Sequence, residues 1–91
     1  MASTRELILY NRYGCHLCED MMLLLSDYAS ELQFVVRTID IDDHPRLLQQ
    51  YNDAVPVLWF GEREVCRHFL DLNALREALN VTANVHHHQA I

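Results

Sequence analysis

The chain is 91 residues long, with 51% hydrophobic and 22% charged residues and a formal net charge of −6. That length supports one domain, which removes roughly 60–65% of its unfolded surface from water. All seven basic residues are Arg with no basic stripe, which excludes general binding to a nucleic-acid backbone, and no apolar run nears the ~20 residues of a membrane span.

Met1–Glu6 contains no apolar signal core, so the expected location is the cytoplasm. Glu6–Tyr10 reads as a short buried strand, followed by a loop, Asn11–Gly14, in which Gly14 gives the backbone room. From Cys15 to about Leu32 the apolar residues Leu17, Met21, Leu24, Leu25, Tyr28 and Leu32 recur at three- and four-residue steps, one face of a helix. Gln33–Ile41 is rich in Phe, Val, Ile and Thr and reads as a strand. Strand, helix and strand fit a right-handed parallel unit.

Asp42, Asp43 and His44 precede Pro45, carboxylates and a proline suited to opening a short helix with Leu47, Leu48 and Tyr51. Asn52-Asp53 ends it. Val55–Phe60 reads as a third strand, and the tight turn Gly61-Glu62 makes Arg63–Arg67 its antiparallel neighbour. Asp71 caps a last helix with Leu72, Leu75 and Leu79. Residues 1–80 form the expected domain, and 81–91 a mobile tail. Pro56 removes a ladder donor from its strand, which suits a strand start or a cis bond that turns the chain.

The chemistry gathers at Cys15 and Cys18. A strand that ends at a Cys-x-x-Cys opening a helix sets one sulfur at the positive end of the helix dipole, where a thiolate is favoured. The other lies about one turn further on, within disulfide reach. Such a pair in a reducing compartment serves redox exchange or metal binding, or is inert. Zinc needs two more ligands. Cys66 and His86–His88 are the candidates, and neither has a paired spacing, so no metal site is expected. Haem attachment is excluded because no His follows Cys18. Cys66 reads as a small core residue, Trp59 and Phe60 as core, and His44 and His68 as caps or surface groups.

Together these features resemble the glutaredoxin-like branch of the thioredoxin-fold family, over nearly the whole length to about Asn80. The carriers are Tyr10–Cys18 after the first strand and Ala54-Val55-Pro56-Val57 before the hairpin. The resemblance implies an α/β, thioredoxin-like three-layer sandwich with a four-stranded mixed sheet in the order βαβ-α-ββα. It implies a thiol–disulfide oxidoreductase with Cys15 as nucleophile and Cys18 as resolving cysteine. It also implies a cis Val55–Pro56 bond beside the pair and a basic residue, Arg12, three before the nucleophile. Arg12, Tyr13, His16, Val55 and Pro56 are the candidate substrate-binding residues. The implied partners are protein or small-molecule disulfides, with glutathione or a thioredoxin-type reductant, acting on a monomer without a tightly bound cofactor.

The chain departs from the family in carrying His16-Leu17 where Pro-Tyr is usual between the cysteines. It also has Val65-Cys66-Arg67-His68-Phe69 where a Gly-Gly pair and an acidic residue hold glutathione. Glutathione therefore loses its usual hold. Exchange requires an exposed Cys15 with a pKa brought down from ~8.5. The helix end, Arg12 folded back and a charged His16 act in that direction, against Glu19 and Asp20. Cys18, flanked by Leu17 and Met21-Met22, is expected to be buried. The rival readings are a redox-inactive thioredoxin-fold module that binds a partner through a groove at Pro56, and a small zinc-binding domain.

Overall fold

Apolar side chains alternate along the first strand to both sides, and both sides are covered. The structure, a computed structural model, describes residues 5–83. β1 (Arg5–Asn11), α1 (His16–Leu32) and β2 (Phe34–Asp40) form a β-α-β unit whose strands run parallel, with Leu7 opposite Val36. A 3-10 turn (Ile41–Asp43) and α2 (Pro45–Tyr51) lead to β3 (Val57–Phe60), β4 (Arg63–Arg67) and α3 (Leu72–Ala83). The strand order is β2-β1-β3-β4, with β3 antiparallel to both neighbours. This is the α/β, four-stranded mixed sheet expected.

The period of two along each strand sorts the core into two layers. Leu7, Leu9, Phe34 and Leu58 pack on one face with Met21 and Leu25 of α1 and Leu75 and Leu79 of α3. On the other face Tyr10, Val57 and Trp59 meet Ile41 and Tyr51. Each fully buried leucine stabilises the fold by about 1.5–3 kcal/mol. The Arg5 guanidinium donates to the carbonyls of Leu32 and Leu79, tying the end of α1 to α3.

Several local readings change. β3 starts at Val57, two residues later than Val55, because Pro56 has no N–H to give the ladder. The Val55–Pro56 peptide is cis, as the resemblance implied, and is not among the changes. Asp42 and Asp43 do not cap α2. Asp40 instead accepts the Asp42 N–H at 2.9 Å and caps the 3-10 turn, while His44 stands at the N-cap of α2 without a side-chain bond. Leu24 lies off the buried stripe of α1 and is exposed, and Met22 packs against the core. A bulge in β4 sets Cys66 opposite Leu58 and Glu64 opposite Trp59, leaving Val65 as the extra residue. The backbone of α3 runs through 83, past the expected start of the tail. The rest of that tail, His86–His88 included, lies outside the described residues. Among the described residues no helix is long and apolar enough to cross a membrane.

Candidate functional site

Tyr10 near the end of β1 stands opposite Val57 at the start of β3, so the loop leaving β1 and the loop entering β3 share one end of the sheet. Gly14, with φ +78, turns the chain into Cys15 in a conformation that L side chains rarely adopt. The Cys15 N–H donates to the Arg12 carbonyl at 3.2 Å, closing the loop. Cys15 is then the N-cap of α1. Its backbone is extended, its carbonyl accepts the Glu19 N–H at 3.1 Å, and its Sγ accepts the Cys18 N–H at 3.1 Å. A sulfur does here what Ser or Asp does at an ordinary helix start. It also sits at the positive end of the helix dipole, where negative charge is favoured.

Cys18 is only 2% exposed, one turn inside the helix, whereas Cys15 is half-buried. Their Cα atoms are 5.2 Å apart and their sulfurs are at disulfide distance. Cys15 is thus partly open to solvent, and Cys18 is almost closed to it.

The remaining sequence candidates separate. Arg12 does not fold back onto Cys15. Its Nε donates to Asp42 Oδ1 at 3.0 Å, and its Nη1 donates to Asn52 Oδ1 and the Asn52 carbonyl at 3.2 and 3.4 Å. The guanidinium anchors the loop to the 3-10 turn and the end of α2, and Asp42 matches its charge. Tyr13 projects into solvent, 93% exposed. His16 is exposed in the first turn of α1, Val55 is half-buried and Pro56 is buried.

His68 is a site-end residue that sequence reasoning left at the surface. Its N–H donates to the Pro56 carbonyl at 2.8 Å, its φ is +70, and its Nε2 lies 3.1 Å from the Asp53 carbonyl. The signal for it was the departure, within Val65–Phe69, from the glycine pair of the family that the sequence resembles. Beside it, Arg67 makes two 2.7 Å bonds to the Glu64 carboxylate and lies over the Tyr51 ring at 5.9 Å. The hydrogen bonds from Arg67 hold the Glu64 carboxyl below its ordinary range. Cys66 is a free thiol packed against the larger core layer, and burial pushes its pKa up. Among the described residues no group of three or more His, Cys, Asp or Glu is arranged to hold a metal ion.

Comparison with known proteins decides the family. Residues 6–80 match the Glutaredoxin-like domain (DUF836). The chain belongs to this glutaredoxin-like family. A Mycobacterium tuberculosis protein described as uncharacterized is 32% identical over 79 residues, 81% of each chain. The solution structure of a Nitrosomonas europaea protein is 36% identical with a TM-score of 0.77, covering 86% of this chain and 94% of that one. Thioredoxin 1 of Thermosipho africanus shares the fold at 17% identity and a TM-score of 0.57, covering 86% and 98%. The glutaredoxin-like chain thus carries its close cysteine pair at the start of the first helix of a thioredoxin fold.

Proposed function

We propose that this glutaredoxin-like protein is a thiol–disulfide oxidoreductase in which Cys15 attacks and Cys18 resolves. The observation that carries the reading is the contrast within the pair: a half-buried Cys15 whose Sγ caps α1, and a buried Cys18 whose Sγ lies within bonding reach of it. The Cys15 thiolate attacks a substrate disulfide, forming a mixed disulfide and expelling one substrate sulfur as a thiolate, which takes up a proton. Cys18 then gives up its proton and attacks Cys15 Sγ. The Cys15–Cys18 disulfide forms, the second substrate thiol leaves, and two electrons have passed to the substrate. A dithiol reductant returns the pair to thiols and is itself oxidised to a disulfide.

Glutathione does not fit as the preferred partner. His68, with an imidazole bound to the Asp53 carbonyl, occupies the stretch where the family's glycine pair lies open. Two cations of this end, Arg12 and Arg67, are matched by Asp42 and Glu64, so neither is free to pair with the carboxylates of glutathione. Protein or other small-molecule disulfides are the proposed substrates.

Alkylation trapping against a graded dithiol buffer tests the reading. The expected midpoint lies within roughly −200 to −320 mV. Cys15→Ser should abolish exchange, and Cys18→Ser should accumulate mixed disulfides. A pair that stays in one state across that range, or a Cys18→Ser protein that turns over a dithiol reaction at full rate, overturns it.

A further inference from the structure

A second surface feature reaches Cys18 of the pair and is not used by the chemistry above. Tyr13 and Gly14 of the loop and Cys18, Glu19, Met22 and Leu23 of α1 line an open groove of about 560 Å³. It lies on the α1 flank, and neither the Pro56 loop nor the turn at His68 contributes to its lining. Tyr13 is 93% and Leu23 68% exposed, two large apolar side chains at the edge of one concavity whose lining includes the buried Cys18. Exposed apolar side chains around one concavity give a partner's apolar side chain a place to leave water.

We propose that this groove is the docking site for a polypeptide disulfide, taking an apolar side chain and a neighbouring basic one next to the substrate's cysteine. The proposal rests on the oxidoreductase reading and names its substrate class. Charge selects the occupant. Arg12, the cation on the rim, is matched by Asp42, whereas the exposed Glu19 carboxylate, with Asp20 after it, has no ion pair among the described residues. The rim is therefore negative and favours Arg or Lys on the partner. A second copy of this chain, also at −6, would be repelled, and so would a small anion. Docking on this flank leaves the Pro56 side free and sets the substrate beside the helix start, where the lining residue Gly14 directly precedes Cys15.

The experiment uses two disulfide-bonded peptides that differ only in the two residues after one cysteine, Leu-Arg in one and Gly-Glu in the other. The full chain should reduce the Leu-Arg peptide with a kcat/KM about tenfold higher, carried by KM, the scale of one apolar side chain entering a pocket. Leu23→Glu, at an exposed position, and Glu19→Lys should each cut that preference to about twofold or less. Titration of the full chain with the Leu-Arg peptide carrying Ser for Cys should shift the amide resonances of Gly14, Met22 and Ser26. Equal rates for the two peptides, or a preference that survives both substitutions, overturn the groove. If neither peptide is turned over, the oxidoreductase reading fails, and the amide shifts alone then decide the groove: their presence supports it and their absence overturns it.

Discussion

The backbone N–H of Cys18 points at the sulfur of Cys15 from 3.1 Å, so the residue proposed to resolve also donates to the sulfur proposed to attack. The donor belongs to the backbone and survives any change of the Cys18 side chain. In the reduced protein a thiolate at this position keeps the bond and gains the favourable end of the α1 dipole, worth about 0.3–1 kcal/mol at an exposed helix start. Cys18, at 2% exposure, is almost closed to solvent and reagent. Brief alkylation of the reduced protein at neutral pH should therefore label Cys15 first, at least about tenfold faster than Cys18, since reactivity follows thiolate fraction and access. Peptide mapping of the labelled sites checks this. Equal labelling of the two would place both sulfurs in one environment and remove the distinction between nucleophile and resolver.

The position of Arg12 gives a second expectation, opposite to the one its sequence position suggests. Its charge goes to Asp42 at 3.0 Å and its remaining donors to Asn52. Arg12→Ala should leave the Cys15 labelling rate within about twofold, because an exposed, already matched cation contributes little at a distance. Its effect should appear in stability, a loss of up to about 1 kcal/mol as the loop loses its anchor to the 3-10 turn. Urea denaturation of the oxidised protein measures the second quantity. A large fall in labelling with stability unchanged would return Arg12 to the sulfur.

These two outcomes mark where local pattern stops informing. The spacing of Met21, Leu25, Tyr28 and Leu32 was enough to orient α1, and that orientation buries Cys18. The β-α-β unit, the parallel pairing and the antiparallel hairpin followed from element lengths and turn chemistry, which act over a few residues. The partner of Arg12 lies 30 residues away and that of His68 15 residues away, across loops whose meeting depends on the completed sheet. Asp40 capped its turn in place of Asp42 because the chain entered a 3-10 turn before α2, a choice of one residue that composition does not resolve. The groove could not be read either, since Tyr13 and Leu23 join only when the loop folds against α1.

Cys66 offers a check on the core rather than on the site. Burial raises its pKa most, with the Asp71 and Glu64 charges adding to the rise and a backbone hydrogen bond from Asp71 opposing it. In the native protein it should alkylate more slowly than a free thiol at mildly alkaline pH, and at the free-thiol rate in urea. The sign for stability follows from linkage. A folded pKa above the unfolded one gives a contribution that is complete below the ordinary thiol range and fades as pH rises through the folded value. Cys66→Ala should therefore flatten the alkaline limb of stability against pH, measured by urea midpoints. An alkaline limb as steep as the parent's would mean that Cys66 titrates as if exposed.

Asp71 belongs to the scaffold under the site, because the helix it caps lies across the core that holds the site in place. Its Oδ1 accepts the Ala74 N–H and its carbonyl the Leu75 N–H, each at 3.0 Å, at the start of α3. Leu75 and Leu79 then pack against Leu7, Leu9 and Leu58, the layer on which α1 also rests. Asp71→Ala removes one cap bond and the favourable charge at the helix start, at a cost of about 0.5–2 kcal/mol, while Asp71→Asn retains a capping oxygen and should lose much less. The urea midpoint should fall for Ala with an unchanged slope, because the surface exposed on unfolding is the same. The midpoint of the Cys15–Cys18 couple should not move, since both sulfurs are set by α1 and the loop before it rather than by α3. A shift of that midpoint in Asp71→Ala would show that α3 reaches the redox pair through the shared core, and the separation drawn here between scaffold and site would fall.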